Sequence, residues 1–327
     1  MTKRRTLICA MAGALLAAGL AVRAQTHGKV YRIGFLTTGS DPRSPPFDVF
    51  TQGMRELGWV EGRNYTVEIR YTEGRNERLP ALATELVQRK VDLLVGTGSL
   101  PTAALKNATA TIPILFLYVG DPVGSGFVTS LARPGGNVTG MGGLGPGIQA
   151  KQLELLKEVV PKMSRIAMLH NPEFPVHASF RAEVEPAARS LGVTLRPIEL
   201  RSPDDIDPAF ATLAREPVDA LLIFGQGFLV AHGARVAKLA IEHRLPAIIP
   251  FQEGARDGIL MSYASTLTDA LRRLPYFVDR VLKGAKPADL PVEQASRFYL
   301  TVNQKTAKAL GLTIPQSLLL RADEVIE

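Results

Sequence analysis

From Lys29 onward, apolar runs of strand length alternate with segments of helical spacing, and they do so in two successive sets. The clearest run covers residues 113–119, unbroken in apolar side chains, which is the pattern of a parallel strand covered by helices on both faces. Before it, residues 30–37, 65–71 and 91–95 read as strands. Residues 47–57, 76–88 and 102–108 have the spacing of amphipathic helices, as Leu79, Leu82, Ala83, Leu86 and Val87 show. Strands separated by helices pair in parallel through right-handed crossovers, so the expected fold class is α/β with a doubly wound parallel sheet.

The second set repeats the scheme. Strands are expected at 165–169, 193–200, 218–224, 246–250 and 259–263, with helices at 148–160, 174–191, 204–215 and 228–243. A helix to Leu282, a linker over 284–291, a strand over 298–302 and two short helices finish the chain. Two similar units in tandem predict two lobes that share a cleft. Asp121-Pro122, just past the run 113–119, reads as an N-cap with proline at the first helical position, and Arg133 to Asn137 as the break that ends that helix.

Residues 1–24 have a basic start (Lys3, Arg4, Arg5), an apolar stretch and a Val22-Arg23-Ala24 end. This is the grammar of an export signal cleaved after Ala24, and the stretch is shorter than the roughly 20 residues of a spanning helix. The leader holds four basic residues and no acidic one, so its removal lowers the formal charge from +7 to +3 and erases an apparent nucleic-acid signal. The single cysteine, Cys9, leaves with it, and disulfides, cysteine-ligated metal and thiol chemistry leave too.

The ordered set Gly58-Trp59-Val60-Glu61-Gly62-Arg63-Asn64, Val91-Asp92-Leu93-Leu94-Val95, Ile112-Pro113-Ile114, Asp121-Pro122-Val123, Pro134-Gly135-Gly136-Asn137-Val138-Thr139-Gly140, Asn171-Pro172, Leu282-Lys283-Gly284 and Ala309 to Pro315 closely resembles ABC transporter solute-binding proteins, in the branch with tryptophan- and tyrosine-uptake receptors. The resemblance covers essentially the whole mature chain. It implies a periplasmic binding protein type I fold: two lobes, three crossing segments, a trapped small molecule, delivery to a permease in the inner membrane, a periplasmic location and no cofactor. By that template the chain crosses near Gly140, returns near Gly258 and crosses again near Ala285. Lobe one is then 29–141 plus 259–284, and lobe two 142–258 plus 285–327, with Gly140, Gly258 and Gly284 as hinges and a monomer expected.

Ligands of open α/β sheets sit beyond the carboxyl ends of the strands. In lobe one those positions are Thr37 and Thr38, Thr97-Gly98-Ser99 and Asp121; in lobe two they are Asn171, Gln226 and Gln252, with Tyr263 at the end of the run 259–263. Ser99 ahead of Leu100-Pro101-Thr102 reads as a helix cap and a cradle for a carboxylate. Phe224, Phe228 and Phe251 are candidate apolar walls. The resembled amino-acid receptors place an aspartate after the strand that here ends at Phe224, where it meets the substrate ammonium; this chain has Gly225-Gln226. Burying an ammonium without that partner costs several kcal/mol. The expected guest is therefore a small organic acid, an amide or an aromatic metabolite, with an amino acid the less favoured choice.

Enzyme readings find little support. Ser99 is not in a G-x-S-x-G elbow, and His27, His170, His177, His232 and His243 show no metal spacing. His170 and Asp121 form a base and orienter only if the cleft brings them together. Asp204, Asp205 and Asp207 sit between prolines at a helix start, which disfavours a calcium loop. Two further classes share the fold prediction or the export signal: a sensor subunit for a chemoreceptor or kinase, and an exported α/β hydrolase.

Overall fold

The computed structural model describes residues 29–38, 45–73, 75–143, 145 and 147–327. The leader and Cys9 lie outside them. The first strands and helices are β1 (Tyr31–Thr37), α1 (Pro45–Glu56), β2 (Tyr65–Tyr71), α2 (Leu79–Gln88), β3 (Leu93–Thr97), α3 (Ser99–Ala108), β4 (Ile114–Val119) and β5 (Val138–Gly142). After a first crossing come α4 (Ile148–Val159), β6 (Arg165–His170), α5 (Pro175–Ser190), β7 (Thr194–Glu199), α6 (Ile206–Arg215), β8 (Ala220–Ile223), α7 (Gly227–Ala231), α8 (Gly233–Glu242), β9 (Ala247–Ile249), α9 (Gln252–Arg256) and β10 (Met261–Ala264). The chain ends with α10 (Leu267–Leu282), β11 (Glu293–Gln294), β12 (Tyr299–Asn303), α11 (Gln304–Ala309), α12 (Gln316–Leu319) and β13 (Glu324–Ile326).

Two sheets result, one ordered β11-β5-β4-β3-β1-β2 and the other β13-β12-β10-β9-β8-β6-β7. Every pairing is parallel except β10 with β12. Each sheet is apolar on both faces, because helices cover both. One face of the first packs Phe35, Leu93 and Leu115 against Phe50 of α1 and Phe277 of α10. Its other face packs Leu36, Leu94 and Phe116 against Leu86 of α2 and Leu105 of α3. The second sheet is sandwiched in the same way, by Leu153, Leu156 and Val184 on one side and Phe210, Leu213 and Val236 on the other.

Several boundaries differ from the expectation. Residues 259–284 do not all return to lobe one: Met261 and Ser262 pair with Ile248 and Ile249, and the same strand pairs with Tyr299–Val302, so β10 lies inside the second sheet. Its buried backbone N–H and C=O groups need partners on both edges, and β9 and β12 supply them. The second crossing is therefore Ser265-Thr266. The third falls between Gln294 and Tyr299 rather than near Ala285, because Glu293 and Gln294 pair with Met141 and Gly142 of the first sheet.

The expected hinge glycines are accordingly not hinges. Gly140 lies within β5, where an added Cβ would be 2.1 Å from the Phe116 carbonyl oxygen. Gly258, at φ +114°, makes the turn from α9 into β10. Asp121-Pro122 starts no helix: residues 122–126 form a turn in which the Asp121 carboxylate accepts the Gly124 N–H at 2.7 Å. The expected helix over 228–243 breaks at His232.

Because α10 follows the second crossing yet docks on the first sheet, it ties the two passes of lobe one together. Trp59 donates to Asp279 of this helix at 2.9 Å, and Arg273 makes a two-pronged pair with Glu293 of β11. Phe277 is 2% exposed in this seam. Truncating it to alanine should cost about 3–5 kcal/mol, read as a lowered urea midpoint of the whole protein.

Candidate functional site

A cavity of about 420 Å3 lies between the two sheets, at the carboxyl ends of their strands. Lobe one contributes Thr38, the turn Thr97 to Pro101, Tyr118 and Gly120; lobe two contributes Phe174, Phe180, Gly225-Gln226 and Phe251 to Glu253; Ser265 to Thr268 close the hinge side. Aromatic and aliphatic side chains share the wall with about as many polar ones, while most of the surface they offer is apolar, as in small-molecule sites.

In lobe one the chain leaves β3 through Gly98 at φ +87°, a conformation that glycine adopts without strain. Gly98 is the cap of α3 and Ser99 its first residue, so the expected Ser99 cap is corrected: no side chain caps this end. Thr102 instead bonds back to the Gly98 carbonyl at 2.7 Å, and the first-turn N–H groups are left at the cavity. The helix can pack this close to β3 because residue 96 is glycine, where a Cβ would be 2.8 Å from the Thr102 hydroxyl.

Tyr118 sits at φ +60° where β4 slips register against β5 between Leu117 and Val119. The slip turns its ring out of the sheet, over Gly143, where a Cβ would be 2.6 Å from the ring. Its hydroxyl donates to the Ser265 carbonyl at 2.8 Å, with the Pro250 carbonyl at 3.4 Å, and Ser265 donates in turn to the Gly143 carbonyl. One tyrosine of lobe one thus joins two crossings and lobe two. Burial pushes its phenol above the ordinary range, which keeps it a donor.

In lobe two the organising residue is His177. Its Nδ1 accepts the Asn171 N–H at 2.9 Å, which makes Nε2 the protonated nitrogen, donating to the Gly225 carbonyl at 3.1 Å. Phe174, Phe180 and Phe224 surround the imidazole, with ring centroids 5.3 to 5.8 Å away. Burial in this aromatic box lowers its pKa to about 4. Gln226 follows Gly225 and is 2% exposed, and neither its Nε2 nor its Oε1 has a hydrogen-bond partner.

The lobes touch beside the cavity. A Cβ on Gly120 would be 2.7 Å from Phe180 Cζ and 3.1 Å from Val176 Cγ2, and one on Gly124 would be 3.1 Å from Ser179 Oγ.

Of the expected site residues, Thr38, Thr97, Gly98, Ser99, Gln226 and Gln252 line the cavity, and Thr37, Asp121, Asn171 and Tyr263 do not. Thr37 is held in the sheet edge, its carbonyl accepting the Thr72 N–H. Asp121 closes its own turn. Asn171 spends its amide on Glu173 N–H (2.9 Å) and the Arg201 carbonyl (3.3 Å). Tyr263 packs on Phe298 in the lobe-two core. His170 is also off the wall, so no base and orienter meet in the cleft. Among the described residues no group of three metal-ligating side chains occurs. Phe251 is a wall as expected, while Phe224 lies beneath it and Phe228 off it. Tyr118, Phe174 and Phe180 were not foreseen; the spacing Phe174, His177, Phe180 does mark one face of a helix.

Two Rossmann-like lobes, three crossings and a solute-sized cavity between them define a receptor of the type I periplasmic binding fold. The family model for ABC transporter substrate binding proteins matches residues 41–326, and the chain belongs to that family, one of solute-binding proteins. It is 25% identical over 264 residues to a tyrosine-binding protein of Clostridioides difficile, covering 80% of this chain and 75% of that one. Among solved structures it is similar to an ABC domain from Streptococcus pneumonia in complex with L-Trp, with 27% identity, a TM-score of 0.82 and coverage of 91% and 100% of the two chains. A conserved domain protein of Vibrio cholerae gives 26% identity, a TM-score of 0.83 and the same coverage.

Two outcomes are expected. The native state refuses a proton at His177 that the unfolded chain accepts below the ordinary 6.5. Stability is therefore full above pH 6.5 and falls as pH drops toward 4, by about 3 kcal/mol in all. Urea midpoints across that range should show the loss, flattened in His177→Asn. Gly120→Val should prop the lobes apart, since Phe180 is too tightly packed to yield. With any compound that raises the melting temperature of the unsubstituted protein, the variant should show a smaller shift and a larger radius by X-ray scattering.

Proposed function

We propose that this protein is an exported receptor that traps a small organic molecule between its lobes and hands it to an ABC permease in the inner membrane. The supporting observation is the cavity itself, walled by both lobes at once and bridged at its hinge side by Tyr118. A guest that touches both walls gains its full contacts only when the lobes are together, so its differential affinity for the closed form drives closure. The permease then has a closed shape to distinguish from an open one.

The basic and apolar leader supports export with cleavage after Ala24 and a periplasmic location, and the mature chain acts as a monomer. The guest is a small organic acid, amide or aromatic metabolite. Phe174, Phe180 and Phe251 favour a ring, in keeping with relatives named for tyrosine and solved with L-Trp. The uncapped start of α3 favours a carboxylate or another acceptor in lobe one. Binding is the whole activity in this reading, with no covalent step.

A thermal-shift screen of small metabolites on the mature protein tests it, because a ligand of the native state alone raises the melting temperature. A hit is expected to shrink the scattering radius as well. A hit with an unchanged radius at saturation, or turnover of any hit, contradicts the receptor reading.

A further inference from the structure

Gln226 is the polar group of the cleft whose chemistry is least satisfied. Gln226 belongs to the cavity lining and is 2% exposed, and both of its amide atoms are buried without a partner. Leaving a buried donor or acceptor unmade is destabilising, and a leucine of similar volume would avoid that cost. The backbone at this edge is itself held in place. The Gly225 carbonyl is held by His177 and the Gln226 carbonyl accepts the Leu229 N–H at 3.1 Å. Among the described residues nothing supplies that partner, and the cavity that this residue borders is the space from which one can come.

The shape of an amide restricts that partner. It presents one acceptor and one two-hydrogen donor side by side. An ammonium has only hydrogens to give: it satisfies Oε1 and leaves Nε2 facing a cation. A carboxylate satisfies Nε2 and leaves Oε1 facing an anion. A carboxamide or a ring lactam offers a donor beside an acceptor and satisfies both atoms in one two-bond pair. The remaining charges agree. Glu253 is the sole carboxylate on this wall among the described residues, and it is exposed. The one cation there, Arg256, is engaged by Glu324 at 2.9 and 3.2 Å.

From these contacts we propose, resting on the receptor reading above, that the guest is a planar aromatic carboxamide or lactam without an ammonium group, its amide edge paired with Gln226 and its ring between Phe174, Phe180 and Phe251. Such a guest takes no charge into the lobe-two wall, which explains the absence of an acid after Phe224.

Calorimetry on the mature protein with indole-3-acetamide, nicotinamide and uracil, beside L-tryptophan, L-tyrosine and benzoate, tests this. At least one amide or lactam probe should bind more tightly than all three comparison compounds, and Gln226→Leu should weaken it about tenfold to a hundredfold. The unliganded Gln226→Leu protein should melt at the same temperature or higher, because two unpaired polar atoms are gone. Tight L-tryptophan or L-tyrosine binding that is lost in Glu253→Gln and kept in Gln226→Leu overturns the ligand class and leaves the receptor reading standing. Amide binding indifferent to Gln226→Leu overturns the pairing. If neither these six compounds nor the wider metabolite screen shifts the melting temperature, both readings fall.

Discussion

Tyr118 occupies a backbone region that costs a bulky residue of order 1–3 kcal/mol. The register slip between β4 and β5 puts it there, and the return is a side chain that leaves its own sheet and bonds to Ser265 on the second crossing. Without the slip the ring would point along the normal of the first sheet and touch only its own lobe. The ring lines the cavity and lies against Gly143, to whose carbonyl Ser265 donates.

A second constraint works within lobe two. His177 is kept neutral by its aromatic surroundings, and its two nitrogens bind one main-chain donor and one main-chain acceptor, which a charged imidazole could not do. It thereby fixes the loop after β6 and the loop after β8 relative to each other. The Gly225-Gln226 edge of the cleft is therefore set by a residue that is itself on a helix, which is a stiffer support than either loop alone.

Much of the fold was legible because period-2 and period-3.6 apolar patterns survive in nearly every element, and because buried parallel strands such as Ile114–Val119 are apolar throughout. The same uniformity hid Tyr118: inside an apolar run nothing distinguishes a residue that leaves the sheet. Strand ends pointed to Thr97 to Ser99, Gln226 and Gln252, which line the cavity. They pointed also to Asn171 and Tyr263, which lie off the cavity wall: the amide of Asn171 is spent on neighbours that only the folded loop brings near, and the strand of Tyr263 belongs to the second sheet. Local pattern says that residues 259–264 are a strand but is silent about which sheet receives it. Asp121-Pro122 has the letters of a helix start, yet Gly124 and Gly126 follow too soon for a helix to propagate.

The late arrival of α10 shapes how the polypeptide can acquire its native form. Until residue 282 is available, the face of the first sheet bearing Phe35 and Leu115 lacks one of its two covering helices, and the rest of lobe two has been threaded in between. Neither half is a contiguous stretch of chain that could mature alone. Their contacts are distant in sequence, which slows folding, so the first lobe stays incompletely covered until the chain has passed through the second and returned.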